Sequence, residues 1–224
     1  MTGRHKLTML GSILVVFGLI ERRWWLLGSW FGFSFLALGF AHFLGGHGLL
    51  GKRVDGTLSP WSWVLFLPLL TSTLVVWHLI RLLSREPACN VVTGQLVVGR
   101  RLLPSECREK FDNFVDLTAE FSEPAAIRTS QAYLSFPILD GGAPTPESLR
   151  SAVSSLRPGR TFVHCAQGHG RTGLFALAVL LSSGTALTVE EGLQMLSAAR
   201  PAIRLSPEQH RCIRSYARDM TEGT

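Results

Sequence analysis

The pattern of apolar and polar positions changes character near residue 84. Before it, apolar residues run almost unbroken in three stretches, Leu7 to Ile20, Trp24 to about Leu44 and Trp61 to Leu83. No Asp, Glu, Lys or Arg interrupts the 28 residues from Trp24 to Gly51, nor the 24 from Thr57 to Ile80. Such runs predict helices that cross a bilayer. The first stretch has 14 residues. As a helix it rises about 21 Å against a hydrocarbon core of ~30 Å, and snorkelling of Lys6 and Arg22 extends it towards a span. Two or three transmembrane helices are therefore expected within a membrane anchor over residues 1–86. Trp24, Trp25 and Trp30 are placed as an interfacial belt, while Trp61, Trp63 and Trp77 lie towards the ends of the third stretch. Pro68 is expected to kink that helix. The connection from Gly45 to Pro60 predicts that the second and third stretches form a hairpin.

Beyond residue 84 the periods shorten and alternate. Strands are predicted at Leu96-Val97-Val98, at Phe114 to Leu117, at Tyr133 to Phe136 (stopped by Pro137) and at Thr161 to His164. Helices are predicted from Thr145-Pro146-Glu147 to about Leu156, from Thr172 to Ser182, from Thr188 to Ala199, and from Ser206-Pro207-Glu208 to about Arg218. Alternating strands and helices imply an α/β domain over residues 87–224, with a short mixed, mostly parallel sheet flanked by helices.

Charge follows the same division. Residues 1–83 carry seven Lys/Arg and two Asp/Glu; residues 84–224 carry fifteen and fourteen. The excess of +5 flanks the apolar runs, where lipid headgroups lie, and the later part is nearly neutral. That distribution argues against nucleic acid as a partner. The Lys/Arg bias of Arg4, Lys6, Arg22 and Arg23 against Lys52 and Arg53 favours an integral membrane protein with a cytoplasmic C-terminal domain. Arg4, His5 and Lys6 before an apolar run resemble a signal peptide. Glu21, Arg22 and Arg23 stand where a small-residue cleavage site would be, so no cleavage is expected. No charge sits in mid-span, and His42 and His78 lie near helix ends, which suits an anchor better than a transport path.

One loop carries the chemistry. Thr161-Phe162-Val163-His164 runs into Cys165-Ala166-Gln167-Gly168-His169-Gly170-Arg171-Thr172-Gly173, and an apolar helix follows. Loop amides at the start of a helix make a nest for an oxyanion. Cys165 sits at its mouth, a setting that stabilises a thiolate. Arg171 carries a fork that matches two phosphoryl oxygens. Cys89, Cys107 and Cys212 read as small buried hydrophobes, and no Cys/His spacing predicts a zinc site.

The spacing His-Cys-x-x-Gly-x-x-Arg-Thr-Gly, carried by His164, Cys165, Gly168, Arg171, Thr172 and Gly173, resembles the signature of the cysteine-based protein tyrosine phosphatase superfamily. The domain is similar to its compact dual-specificity branch. Leu96-Val97-Val98-Gly99 resembles the branch's opening strand, Pro137 to Leu149 its general-acid loop and following helix, and Arg200-Pro201 through Leu205 to Gln209 its C-terminal signature. The resemblance covers about residues 90–218.

It implies the following roles. Cys165 attacks phosphorus and forms a cysteinyl-phosphate. Arg171 and the amides of Ala166, Gln167, Gly168, His169, Gly170 and Arg171 bind the phosphoryl group. Asp140 protonates the leaving oxygen and then activates water; Asp116 is the rival carboxylate. Thr172 stabilises the leaving thiolate, and His164 orients the loop. His169 either touches substrate or is solvated, and His210 is structural. Cys89 or Cys107 is a candidate disulfide partner for oxidised Cys165. No cofactor and no metal are implied. The expected substrates are phosphotyrosine and phosphoserine/threonine proteins, because the short domain has no separate tyrosine-recognition segment. A phospholipid or inositol phosphate is the alternative. Relatives that take inositol phospholipids often place Lys in the nest, where this chain has Ala166, Gln167 and His169, but the anchor keeps the site near lipid. A catalytically dead phosphate-binding membrane module is the non-enzymatic alternative.

Overall fold

The computed structural model describes residues 3–20, 25–44, 47–129 and 132–222. Glu21, Arg22, Arg23, Trp24 and Gly45 lie outside the described residues, as do the side chains of Arg4, His5, Lys6, Trp25 and His42. The chain divides into two compact units. One comprises Met1–Arg53, Thr57–Ser84 and Ala119–Ser122; the other comprises Val54–Gly56, Arg85–Thr118 and Glu123–Thr224.

The first unit holds α1 (Gly3–Ile20), α2 (Trp25–Leu44), a 3-10 turn (His47–Leu50) and α3 (Pro60–Leu83). Helices α1 and α2 meet through glycines. A Cβ on Gly32 would lie 2.4 Å from Val15 Cγ2 and 2.8 Å from the Gly11 carbonyl, and one on Gly39 would lie 2.5 Å from Thr8 Cγ2. Small residues let apolar helix backbones approach this closely. In α3, Pro68 lacks the N–H that would continue the helical ladder, and the backbone breaks at Phe66 (φ −111°, ψ 16°). The Leu65 carbonyl beside this kink accepts from Trp30 Nε1 and Ser34 Oγ, both at 3.0 Å. A neighbouring helix thus re-satisfies backbone at the proline kink. The connection before α3 is more ordered than its composition predicts, with the 3-10 turn and a bridge between Lys52 and Leu58. Among the described residues α3 alone is long and apolar enough to cross a membrane, by length and composition; Gly28–Phe40 is a shorter apolar stretch.

The second unit is a five-stranded sheet with helices. Its elements are β1 (Cys89–Val91), β2 (Leu96–Arg100), β3 (Asn113–Thr118), α4 (Ala125–Arg128), β4 (Tyr133–Ile138), α5 (Pro146–Ser154), β5 (Thr161–Cys165), α6 (Gly170–Ser182), α7 (Val189–Ala199) and α8 (Pro207–Glu222). The sheet order is β1-β2-β5-β3-β4, with β1 antiparallel and the rest parallel. All four predicted strands and four predicted helices are present. Thr145 and Thr188 cap α5 and α7 by accepting from Ser148 N and Glu191 N.

The differences have local causes. Strand β1 is three residues long, too short for a period to show. Strand β4 runs through Pro137 to Ile138 because it is an edge strand, where a missing N–H costs no ladder bond. Helix α6 begins at Gly170, two residues before the predicted start.

Side chains alternate across the sheet. Val98, Val115, Leu117, Val163 and Cys165 face a core shared with α5, α6 and α8. Val97, Phe114 and Phe162 face an aromatic cluster with Phe111, where ring centroids lie 5.0–5.2 Å apart. Central strand β5 is buried at all five residues and flanked by β2 and β3. Cys165 therefore ends a strand at the carboxyl edge of the sheet, where open α/β folds bind ligands.

Candidate active site

The loop after β5 turns its carbonyls outward. The Arg101 N–H donates to the Cys165 carbonyl at 2.8 Å and to the Ala166 carbonyl at 3.3 Å. The Arg200 guanidinium donates to the Gln167 and Gly168 carbonyls, each at 2.9 Å. In a planar trans peptide the N–H points opposite to the C=O. The N–H groups of residues 166–169 are therefore turned to the other side, and the Gly168 N–H indeed meets Cys165 Sγ at 3.3 Å. Gly168 adopts φ +76°, and an added Cβ would fall 2.4 Å from the Gly99 carbonyl. Only glycine fits both the angle and the approach. Helix α6 starts at once, so its first N–H groups add to the same concavity.

Arg171, in the first turn of α6, is buried (2% exposed). Its Nη1 donates to the Ile138 carbonyl at 3.0 Å, and its Nη2 lies 3.2 Å from Asp140 Oδ1. The Asp140 side chain is 88% exposed. Its turn is held from α8: Ser206 Oγ donates to the Gly141 carbonyl at 2.8 Å, Gln209 Nε2 to the Gly142 carbonyl at 2.9 Å, and the Cys212 thiol to the Pro144 carbonyl at 3.2 Å. An exposed carboxylate on a pinned turn, beside a buried guanidinium, has the reach of a proton donor to a bound oxygen. Cys165, Arg171 and Asp140 are thus brought together. The Thr172 hydroxyl is buried with no hydrogen-bond partner among the described residues.

Asp116 and His164 lie elsewhere. They pair across β3 and β5 and share the aromatic face, opposite to Cys165. The His164 ring stacks on Phe162 and meets Phe114 edge-on, with Nε2 3.9 Å from Asp116 Oδ1. Asp116 accepts from the Thr118 N–H and hydroxyl (2.8 and 2.7 Å) and from the Tyr133 hydroxyl (2.6 Å). Burial and the Asp116 charge push the Tyr133 hydroxyl well above the usual phenol range. Asp116, Glu123 and His164 place ligand atoms within 4.8 Å of one another. That buried cluster already holds a cation, because Arg101 Nε lies 3.1 Å from Glu123 Oε2.

His169 contacts neither bulk solvent alone nor the nest: its Nε2 lies 2.9 Å from Glu86 Oε2. His210 lies on α8, outside the phosphate loop. Cys89 pairs with Gly99, which pairs with His164. Two strand spacings of about 4.8 Å set its Cα about 10 Å from β5, beyond the range of a disulfide. Cys107 packs on the aromatic face, away from Cys165. Neither cysteine is placed to bridge to Cys165 in this fold. Sequence reasoning missed the work of Glu86, Arg101, Arg200, Ser206 and Gln209. Arg200 and Gln209 stand in the C-terminal segment singled out above, which was the one signal available.

No family model and no curated protein sequence matches this chain. Solved structures do match it in fold. Tk-PTP in its active form aligns with a TM-score of 0.53 at 23% identity, over 59% of this chain and 97% of its own. Human DUSP28 aligns with a TM-score of 0.53 at 16% identity, over 60% and 99%. PTPMT1 in complex with PI(5)P aligns with a TM-score of 0.52 at 16% identity, over 61% and 98%. The α/β part of the chain therefore has the fold of the dual-specificity and tyrosine phosphatase structures, a mixed, mostly parallel five-stranded sheet flanked by helices.

Proposed function

We propose that this protein is a membrane-anchored, cysteine-dependent phosphatase acting on phosphate monoesters. One observation carries the reading: a loop with its carbonyls turned outward directs the Gly168 N–H at Cys165 Sγ, 3.3 Å away, beside Arg171. Cys165 Sγ attacks phosphorus, the S–P bond forms, and the P–O bond to the leaving group breaks. Asp140 gives its proton to the leaving oxygen. Water then attacks the cysteinyl-phosphate, Asp140 takes the water proton, the S–P bond breaks, and orthophosphate leaves. Arg171 and the amides of residues 166–171 hold the equatorial oxygens throughout. Thr172, with its buried hydroxyl, serves the departing thiolate. His164 acts from the far face of the sheet by fixing the end of β5. The mechanism needs no metal and no cofactor.

Phosphotyrosine and phosphoserine/threonine proteins are the first substrate reading. The nest side chains Ala166, Gln167 and His169 bring no lysine to a multiply charged headgroup. A phospholipid is the second reading, favoured by PTPMT1 with PI(5)P on the same fold and by the apolar helix α3. The anchor comprises residues 1–86, with the catalytic domain on the cytoplasmic side, in line with the Lys/Arg bias. Full-length protein in bilayers, tested on phosphopeptides and on phosphoinositide vesicles, decides. Turnover of vesicles alone refutes the protein reading, and turnover of neither, nor of an aryl phosphate, refutes the enzyme.

A further inference from the structure

Arg200 is 2% exposed, yet each of the five N–H groups of its guanidinium has a partner. Nε donates to the Gly168 carbonyl, and Nη2 donates to the Gln167 carbonyl and to Glu86 Oε2, all at 2.9 Å. Nη1 donates to the Pro87 carbonyl at 3.0 Å and to Asn90 Oδ1 at 2.7 Å. Among these five acceptors Glu86 is the one carboxylate. The same Glu86 oxygen lies 2.9 Å from His169 Nε2, so a single atom ties Arg200 to a side chain of the phosphate loop. Along the chain Glu86 stands three residues beyond Leu83, the end of α3.

Burial of Arg200 disfavours its charge, and Glu86 opposes that effect. A buried guanidinium that loses its counter-ion is strongly destabilised where it lies and relaxes towards water. If Arg200 moves, the Gln167 and Gly168 carbonyls lose their donors. Those carbonyls are the outer ends of the two peptides whose N–H groups, on Gly168 and His169, face inward. The His169 ring, no longer paired with Glu86, is also released.

We propose that Glu86 is a positioning residue for the phosphoryl-binding loop: its carboxylate holds Arg200 and His169, and through them the direction of the Gly168 and His169 N–H groups. This rests on the reading of that loop as the phosphoryl site. Glu86 touches no substrate. Its effect belongs to the transition state, where donor placement counts most, rather than to ground-state binding.

The test uses full-length protein, an aryl phosphate and vanadate. Glu86→Ala is expected to lower kcat about 10-fold with KM within about twofold, and to weaken vanadate inhibition about 10-fold. Glu86→Gln keeps an oxygen for Arg200 and His169 and is expected to recover to within about threefold of wild type. Should Glu86→Ala fail to fold, Glu86→Asp takes its place, withdrawing the charge by one methylene, with the same expected drop. A wild-type kcat in the Ala or Asp variant overturns the proposal. So does an equal loss in the Gln variant, or a loss confined to melting temperature. A wild-type protein with no turnover and no vanadate binding overturns the phosphatase reading instead.

Discussion

The tightest structural constraint on the proposed site is the seat of Gly168, and Gly168→Ala tests it. The residue sits at φ +76°, where an L side chain costs about 1–2 kcal/mol. The new Cβ would also lie 2.4 Å from the carbonyl carbon and oxygen of Gly99 and 2.7 Å from Arg100 N. All three are backbone atoms of β2, which is paired on both sides and has no rotamer to yield. Non-bonded carbons rest about 3.5–4.0 Å apart, so the loop must lift by about 1 Å. Overpacking of that kind adds about 1–3 kcal/mol, for a total loss of roughly 2–5 kcal/mol. The lifted peptide carries the N–H that meets Cys165 Sγ, and a misplacement of about 1 Å at a reacting centre costs roughly 10²-fold in rate. Gly184→Ala separates the two effects. Gly184 has φ +68° with nothing within 4 Å of its added Cβ, so it carries the backbone strain without the clash. The assays are aryl phosphate hydrolysis for kcat/KM and denaturant unfolding for stability. Gly168→Ala within about threefold of wild-type kcat/KM, or no less stable than Gly184→Ala, would refute the packing argument.

Four further outcomes are expected. Cys165→Ser abolishes turnover, by more than about 10³-fold, while calorimetry still detects aryl phosphate binding; residual turnover near wild type would show that sulfur is not the nucleophile. Asp140→Asn slows poor leaving groups by about 10²-fold and spares activated aryl phosphates; a uniform loss across leaving groups places the acid elsewhere. Tyr133→Phe removes a 2.6 Å donor from the buried Asp116 carboxylate and costs about 2–3 kcal/mol by denaturant unfolding; a change under about 0.5 kcal/mol contradicts the assignment. Burial pushes the Cys212 thiol up to about 11, whereas an unfolded thiol ionises near 8.5. The native state therefore keeps a proton that the unfolded state releases, and this group's share of stability falls as pH rises from about 8.5 to 11. Cys212→Ala should flatten the fall in that window, and an unchanged alkaline profile would rule the group out.

The reach of sequence reasoning tracks how far apart the cooperating residues lie. Cys165, Gly168 and Arg171 stand within seven positions, and strand, nest and helix are local geometries that those positions decide among themselves. Asp140 was legible one step less directly, as a carboxylate in a turn between a strand and a capped helix. Register settles what pattern left open. Asp116 pairs with His164, so strand alternation alone sends it to the far face from Cys165. Pro137 misled because a proline reads as a stop, and only the sheet order reveals that β4 is an edge where it is tolerated. The contact between Arg200 and Glu86 spans 114 positions. Nothing in the composition around either residue distinguishes an exposed charge from one buried against a loop carbonyl. The groups that react are thus specified by neighbours in sequence. The groups that aim them are specified by neighbours in space, and substitutions at Glu86 and Gly168 test that second layer without altering the reacting atoms.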